Sequence, residues 1–134
     1  MVAEFTRLNH ITVNAPSGSQ DKVRWFYGKI LGLKEVPIPP KLLDLYEIVW
    51  FQLLDFLLHI EFVKEFETPP ENYENGAILP GRHIALEVKN IEHLRQELES
   101  HKVEIREAVP IPDRVRFYAK DPFGNFLEII QFKK

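Results

Sequence analysis

Four side chains in this sequence combine types and settings that could do chemistry: His10, His59, His83 and Glu128. Each lies inside a strand-like run: Leu8-Asn9-His10-Ile11-Thr12-Val13, Leu58-His59-Ile60, Arg82-His83-Ile84-Ala85-Leu86-Glu87-Val88, and Phe126-Leu127-Glu128-Ile129-Ile130-Gln131-Phe132. A carboxylate between Leu127 and Ile129 is costly to bury unless something pairs with it. Imidazole and carboxylate are ligands for a borderline divalent metal, Zn²⁺, Mn²⁺, Fe²⁺, Co²⁺ or Ni²⁺. Coordination would also offset the burial cost of Glu128. A single strand histidine is more often a hydrogen-bonded core residue, so the case rests on the four together. Glu61 rivals His59, because two residues along a strand is the same face. The direction of Glu128 is open, since its neighbours on both sides are apolar.

The elements that must position these residues follow from periodicity. Residues 8–14 alternate as a strand, with Leu8, His10 and Thr12 on one face. Pro16-Ser17-Gly18-Ser19 is a loop, and Ser19 is placed to cap a helix over 21–31. That helix carries a stripe of Val23, Phe26 and Ile30, with Trp25 beside it, and Gly32 is placed to end it. A short strand at 33–36 and a proline loop at 37–40 follow. Residues 46–53 and 56–63 read as strands around Leu54-Asp55. Residues 64–81, with three prolines and two glycines, read as a linker.

The pattern then restarts. A strand at 82–88 precedes Asn90, a cap for a helix over 91–100 with stripe Ile91, Leu94 and Leu98. Residues 103–105 are a strand, and Pro110 and Pro112 break the chain. Asp121-Pro122-Phe123-Gly124 fits a type I turn between two further strands. The chain is thus an internal repeat of strand, helix and three strands: module 1 at about 5–63 and module 2 at about 82–132, within one domain of 134 residues. Laid over each other, His10-Ile11 matches His83-Ile84, Phe51 to Asp55 matches Phe117 to Asp121, and Leu58-His59-Ile60 matches Leu127-Glu128-Ile129. The repeat therefore sets one polar residue on the first and last strand of each module.

Composition narrows the classes. A hydrophobic fraction of 45% supports a packed core, and a net charge of −3 without a basic patch argues against nucleic acid as a partner. With no cysteine there is no disulfide, thiolate zinc site or cysteine nucleophile. The N-terminal Met-Val-Ala-Glu-Phe-Thr-Arg lacks the apolar core of a signal peptide, which predicts a cytoplasmic protein. The most apolar stretch, 48–62, is interrupted by Gln52, Asp55, His59 and Glu61, so no membrane span is expected.

The chain resembles the vicinal oxygen chelate superfamily of glyoxalase I, extradiol dioxygenases, methylmalonyl-CoA epimerase and fosfomycin- and bleomycin-resistance proteins. The matching pieces are Leu-Asn-His-Ile-Thr-Val at 8–13, Phe-Tyr-Gly-Lys-Ile-Leu-Gly-Leu at 26–33, Leu-His-Ile at 58–60, Arg-His-Ile-Ala-Leu-Glu-Val at 82–88 and Phe-Tyr-Ala-Lys-Asp-Pro-Phe-Gly-Asn-Phe-Leu-Glu-Ile at 117–129. The resemblance implies an α+β fold of two βαβββ modules, forming a cup-shaped, mixed and mostly antiparallel sheet with helices outside. It implies a divalent metal held by His10, His83 and Glu128, with His59 or Glu61 as fourth ligand. Glutamate is usual at that fourth position in lactoylglutathione lyases, and Leu58-His59-Ile60 departs from it. The implied chemistry is bidentate chelation of a small oxygenated substrate and stabilisation of an enolate or oxyanion, as in a lyase, isomerase, dioxygenase or transferase. Glu128 or Glu61 could also act as a base. Arg82, Arg114, Arg116 and Tyr118 are candidates to hold an anionic substrate; Arg114 and Arg116 fit a solvated edge strand equally well. A homodimer is the expected assembly. The alternative of a different class is a metal-free protein that binds and sequesters a small molecule.

Overall fold

The computed structural model of the chain describes residues 2–134 and divides into two compact units, Met1–Phe66 and Glu67–Lys134. Met1, where the N-terminal reading begins, lies outside the described residues.

In the first unit, β1 (His10–Pro16) leads into α1 (Gln20–Val23), which continues as a π-helix over Arg24–Ile30. Then come β2 (Lys34–Val36), α2 (Pro40–Leu43), β3 (Ile48–Leu53) and β4 (Phe56–Val63). The sheet order is β1-β4-β3-β2, with β1 parallel to β4 and the other pairs antiparallel. In the second unit a hairpin of β5 (Asn72–Glu74) and β6 (Ala77–Leu79) precedes β7 (His83–Glu87), α3 (Ile91–Ser100), β8 (Ile105–Glu107), β9 (Arg114–Lys120) and β10 (Phe126–Phe132). Its sheet order is β7-β10-β9-β8, again with one parallel pair, β7 and β10. The fold class is therefore α+β, with the βαβββ repeat realised twice in the same strand order. Among the described residues, no helix is long and apolar enough to cross a membrane.

In each unit one helical segment covers one face of the sheet. Tyr27 and Phe51 lie with ring centroids 6.1 Å apart, so Phe51 faces the helix, as does its register partner Leu58. In the second unit the Arg95 guanidinium sits 4.7 Å above the Phe117 ring. Phe117 and its register partner Ile129 therefore face α3. Phe51, Leu58, Phe117, Leu127 and Ile129 are all buried.

Several local expectations change. The first helix is not regular: Leu31 N–H donates to the Phe26 carbonyl five residues back, at 3.0 Å. This widened turn carries Tyr27, only 1% exposed, into the core beside Phe26, while Trp25 is left on the surface. Ser19 and Asn90 stand at N-cap positions, yet neither caps with its side chain. The Ser19 hydroxyl donates instead to the Pro16 carbonyl at 2.6 Å. At α3 the cap comes from β10: Gln131 Oε1 accepts from Ile91 N–H at 2.9 Å, and its amide donates to the Lys89 carbonyl. The proline loop ends in α2, because Pro40 at the first helical turn loses no backbone bond. Within 64–81 the two-residue Asn75-Gly76 turn, both at positive φ, closes the β5–β6 hairpin.

The turn at 121–124 forms as expected. Gly124 N–H donates to the Asp121 carbonyl at 3.2 Å. Asp121, 4% exposed, uses Oδ1 to accept from the N–H groups of Phe123 and Asn125, at 2.9 and 2.8 Å. Gly124 has φ +96°, and a Cβ there would lie 2.9 Å from Thr68 Cγ2, so position and conformation both require glycine.

Candidate functional site

The register of each sheet decides which side chains share the face turned away from the helix. In the first unit Thr12 is partnered with His59, and His59 with Trp50. Alternation along β1 and β4 then puts His10, Thr12, Asn14, His59 and Glu61 on that face. In the second unit Glu128 is partnered with Ala85 and Tyr118, and His83 with Phe126. That face carries His83, Glu128, Arg116, Tyr118 and Lys120. The open direction of Glu128 is thereby settled: it points away from α3, on the opposite face from Leu127 and Ile129.

In the first unit the structure brings His10 to His59. Their rings stack with centroids 3.9 Å apart and 11° between planes. Trp50 stacks on the other side of His59, at 4.1 Å and 5°. His59 is thus the middle of a three-ring stack. Burial, with a smaller push from the neighbouring His10, lowers its pKa to about 4. It is therefore neutral near pH 7, the state in which an imidazole nitrogen can donate to a metal. Its Nε2 is buried and meets no hydrogen-bond partner. Glu61 shares the face but is exposed, next to Asn14 in register.

In the second unit the structure brings His83 to Glu128, Nε2 to Oε1 at 3.0 Å. His83 Nδ1 lies 2.8 Å from the Gly81 carbonyl, which can only accept, so Nδ1 carries a proton. Nε2 then faces a carboxylate oxygen, and that contact is favourable only across a second ring proton or a cation. The other carboxylate oxygen, Oε2, accepts from Arg116 Nη1 at 3.3 Å. Arg116 also donates to the Tyr118 hydroxyl at 3.0 Å and to the Val109 carbonyl at 2.8 Å. The side chains of Arg116 and Glu128 are 14% and 12% exposed, so this is a largely buried ion pair.

The repeat seen in the sequence holds at the level of register. His10 is opposite Leu57 and His83 is opposite Phe126, and two residues further along those partner strands stand His59 and Glu128. The two residues occupy equivalent positions in their units. Among the described residues, no three His, Cys, Asp or Glu side chains are gathered as one metal-holding group; the four candidates come as two pairs, one per unit.

The other candidates separate. Arg116 and Tyr118 adjoin Glu128. Arg114 pairs with its neighbour Asp113 at 2.8 Å and lies over the Phe132 ring. Arg82 is exposed just before β7. Three contributors were not singled out from the sequence. Trp50 is one, and its place opposite His59 across the β3–β4 hairpin was the available signal. Asn9 Oδ1 lies 2.8 Å from His10 Nδ1, and its adjacency to His10 was the available signal. The third is the β5–β6 hairpin, whose Ile78 packs with Tyr118 and Phe126 on the face carrying Glu128.

Glu71 anchors that hairpin through ion pairs to Arg106 and, at 3.5 Å, Lys120. The hydrogen bond from Arg106, then that from Tyr73, holds the Glu71 carboxyl at about 2 against an ordinary 4.5. A carboxyl with a depressed folded-state pKa stabilises fully above its unfolded value and loses that contribution as pH falls. Wild-type stability should therefore decline between about pH 4.5 and pH 2 in part through Glu71. Urea unfolding at stepped pH should show Glu71→Gln with a shallower acid limb; equal slopes would refute the anchor.

Residues 7–129 match the family model described as the Glyoxalase/Bleomycin resistance protein/Dioxygenase superfamily. Among solved structures, a protein described as a glyoxalase family member from Bacillus anthracis is similar at 30% identity and a TM-score of 0.83, over 99% of this chain and all of its own. A glyoxalase/dioxygenase from Nostoc punctiforme matches over all of both chains at 21% identity and a TM-score of 0.75. The fosfomycin resistance protein FosX from Listeria monocytogenes matches 98% of this chain and 94% of its own at 15% identity, with a TM-score of 0.72. The last two likenesses concern the fold alone. A search of curated proteins gave no match.

Proposed function

Because the chain belongs to the glyoxalase/bleomycin resistance/dioxygenase superfamily, we propose that it is a metal-dependent enzyme of that superfamily acting on a small oxygenated substrate. The proposed donors are the pairs His10–His59 and His83–Glu128, with Glu61 as the alternative to His59. One observation carries the reading. His83 Nδ1 is engaged by the Gly81 carbonyl, and its Nε2 faces Glu128 Oε1 at 3.0 Å. A ligating histidine whose other nitrogen is held by a carbonyl is the usual outer-shell arrangement of metal sites. The buried, unpartnered Nε2 of His59 fits the same donor role.

When bound, a divalent metal supplies Lewis-acid polarisation of substrate oxygens. The chain's own residues do the rest. Arg116 holds Glu128 Oε2, so Oε1 is the oxygen that remains to donate or to accept a proton. Tyr118, with its hydroxyl beside Arg116, offers a polar contact next to Glu128. Arg82 is left to meet an anionic end of the substrate, and Arg114 joins it by exchanging Asp113 for the substrate anion. Ile78, Phe126 and the Tyr118 ring wall part of this face with apolar surface. A homodimer in the cytoplasm completes the proposal.

A second reading is favoured by the Arg116–Glu128 ion pair. The guanidinium already neutralises the carboxylate, so the face could bind a small molecule without a metal. Metal analysis separates the two. Protein purified without a histidine tag and incubated with Mn²⁺, Ni²⁺, Zn²⁺ or Fe²⁺ should take up stoichiometric metal. Wild-type protein that stays metal-free with all four leaves the binding-protein reading in place of the enzyme.

A further inference from the structure

We infer that Asn9 is a positioning residue that fixes the tautomer of His10 and so makes Nε2 its donor atom. The inference rests on the metal reading above and names a residue that the reading does not use. Asn9 Oδ1 lies 2.8 Å from His10 Nδ1. A carbonyl oxygen accepts and does not donate, so the proton in this contact belongs to Nδ1. In the neutral ring the lone pair is then on Nε2.

Two contacts are needed to fix an imidazole, one for the ring plane and one for its edge. The stack on His59, 3.9 Å between centroids and 11° between planes, sets the plane. It leaves the ring free to turn within that plane or to flip. The Asn9 amide removes that freedom by holding one nitrogen. In the second unit the Gly81 main-chain carbonyl does this for His83 at 2.8 Å. The two modules thus hold their first-strand histidines by the same nitrogen, one with a side chain and one with the backbone. Only the side-chain version can be removed by substitution.

Asn9 is well suited to the test because its side chain is exposed and its structural duty is carried by the backbone. The Asn9 carbonyl accepts from Leu57 N–H at 3.1 Å, which any residue at position 9 retains. Asn9→Leu removes the acceptor at similar size, and Asn9→Ala does so with less bulk should the leucine disturb β1. Asn9→Asp keeps an acceptor oxygen in place.

The first measurement is the His10 tautomer in metal-free protein, from ¹⁵N–¹H long-range correlation spectra at a pH where the ring is neutral. Wild-type protein and Asn9→Asp should show His10 protonated at Nδ1. Asn9→Leu and Asn9→Ala should show a shift toward protonation at Nε2. The second is calorimetric titration with Mn²⁺ or Ni²⁺ alone. Loss of an outer-shell partner lowers metal affinity about 10- to 100-fold. That drop is expected in Asn9→Leu, with recovery in Asn9→Asp. A merely structural role would move neither the tautomer nor the rescue. His10 protonated at Nε2 in the wild type overturns the inference, as does unchanged affinity in Asn9→Leu while the wild type binds metal. A wild type that binds no metal overturns the metal reading and this inference together, and is recognised by the absence of any titration heat.

Discussion

Glu128→Gln should abolish stoichiometric metal uptake while leaving the fold in place. The substitution keeps the volume and one acceptor oxygen, so Arg116 still finds a partner for the bond it makes to Oε2 at 3.3 Å. The negative charge is what disappears. A neutral amide is a poor ligand for a borderline divalent ion, and affinity should fall by at least about 100-fold, beyond the 10- to 100-fold typical of an outer-shell loss. Stability should fall by about 1–3 kcal/mol, since a hydrogen-bonded, mostly buried guanidinium loses its counter-charge. Glu128→Ala should cost more, because it also removes the acceptor. His83→Ala should lose metal as well, with a smaller stability change, since Glu128 keeps Arg116. The readouts are metal content and circular dichroism on the same samples. Glu128→Gln that still binds metal at wild-type affinity removes Glu128 from the ligand set. His59→Ala that keeps its metal while Glu61→Ala loses it moves the fourth ligand to Glu61.

Asp121→Ala should be the most destabilising single change in the turn that leads into β10. The Asp121 carboxylate is 4% exposed and accepts the N–H groups of Phe123 and Asn125, and the Asn125 amide at 2.8 Å from Oδ2. A hydrogen bond to a charged acceptor contributes about 1.5–3 kcal/mol, and the substitution removes two from backbone N–H groups, so a loss of about 3 kcal/mol is expected. For a chain of this size that is roughly a 10 °C fall in Tm. Asp121→Asn, which keeps one acceptor, should lose less than half as much. A Tm within about 2 °C of wild type for Asp121→Ala would mean that the Gly124 conformation alone holds the turn. The effect reaches the site through register. A one-residue slip of β10 would turn Glu128 onto the α3 face and bring Leu127 and Ile129 out. Metal uptake should therefore fall with stability in Asp121→Ala, although Asp121 touches neither donor pair.

How much of this was legible beforehand differs from residue to residue. The hairpin signal at Asp121-Pro122-Phe123-Gly124 is local, because the aspartate, proline and glycine each satisfy a backbone demand within four residues. The turn formed as read. The two helices were legible from stripes at helical spacing, but the π-helical stretch was not. A stripe of Val23, Phe26 and Ile30 is equally consistent with a regular helix, and only packing against Phe51 draws Tyr27 inward. Caps failed as local rules for a related reason. Ser19 has a nearer acceptor in Pro16, and α3 takes its cap from Gln131, about forty residues away in sequence. The Asn75-Gly76 hairpin was legible in principle, but the surrounding prolines outweighed it.

The sequence by itself determined the repeat, and with it one polar residue on the first and last strand of each module: His10 and His59 in one, His83 and Glu128 in the other. It could do so because alternation along strands and module-to-module matching are both written in residue order. Only the tertiary structure decided which way Glu128 points. Period 2 fixes that neighbours alternate but not which set meets the helix when both neighbours are apolar. It also decided what surrounds each of these side chains: Arg116 on Glu128, Gly81 on His83, Trp50 on His59. These contacts depend on strand register across tens of residues, and on burial that removes competing water, and neither quantity exists until the sheets have formed.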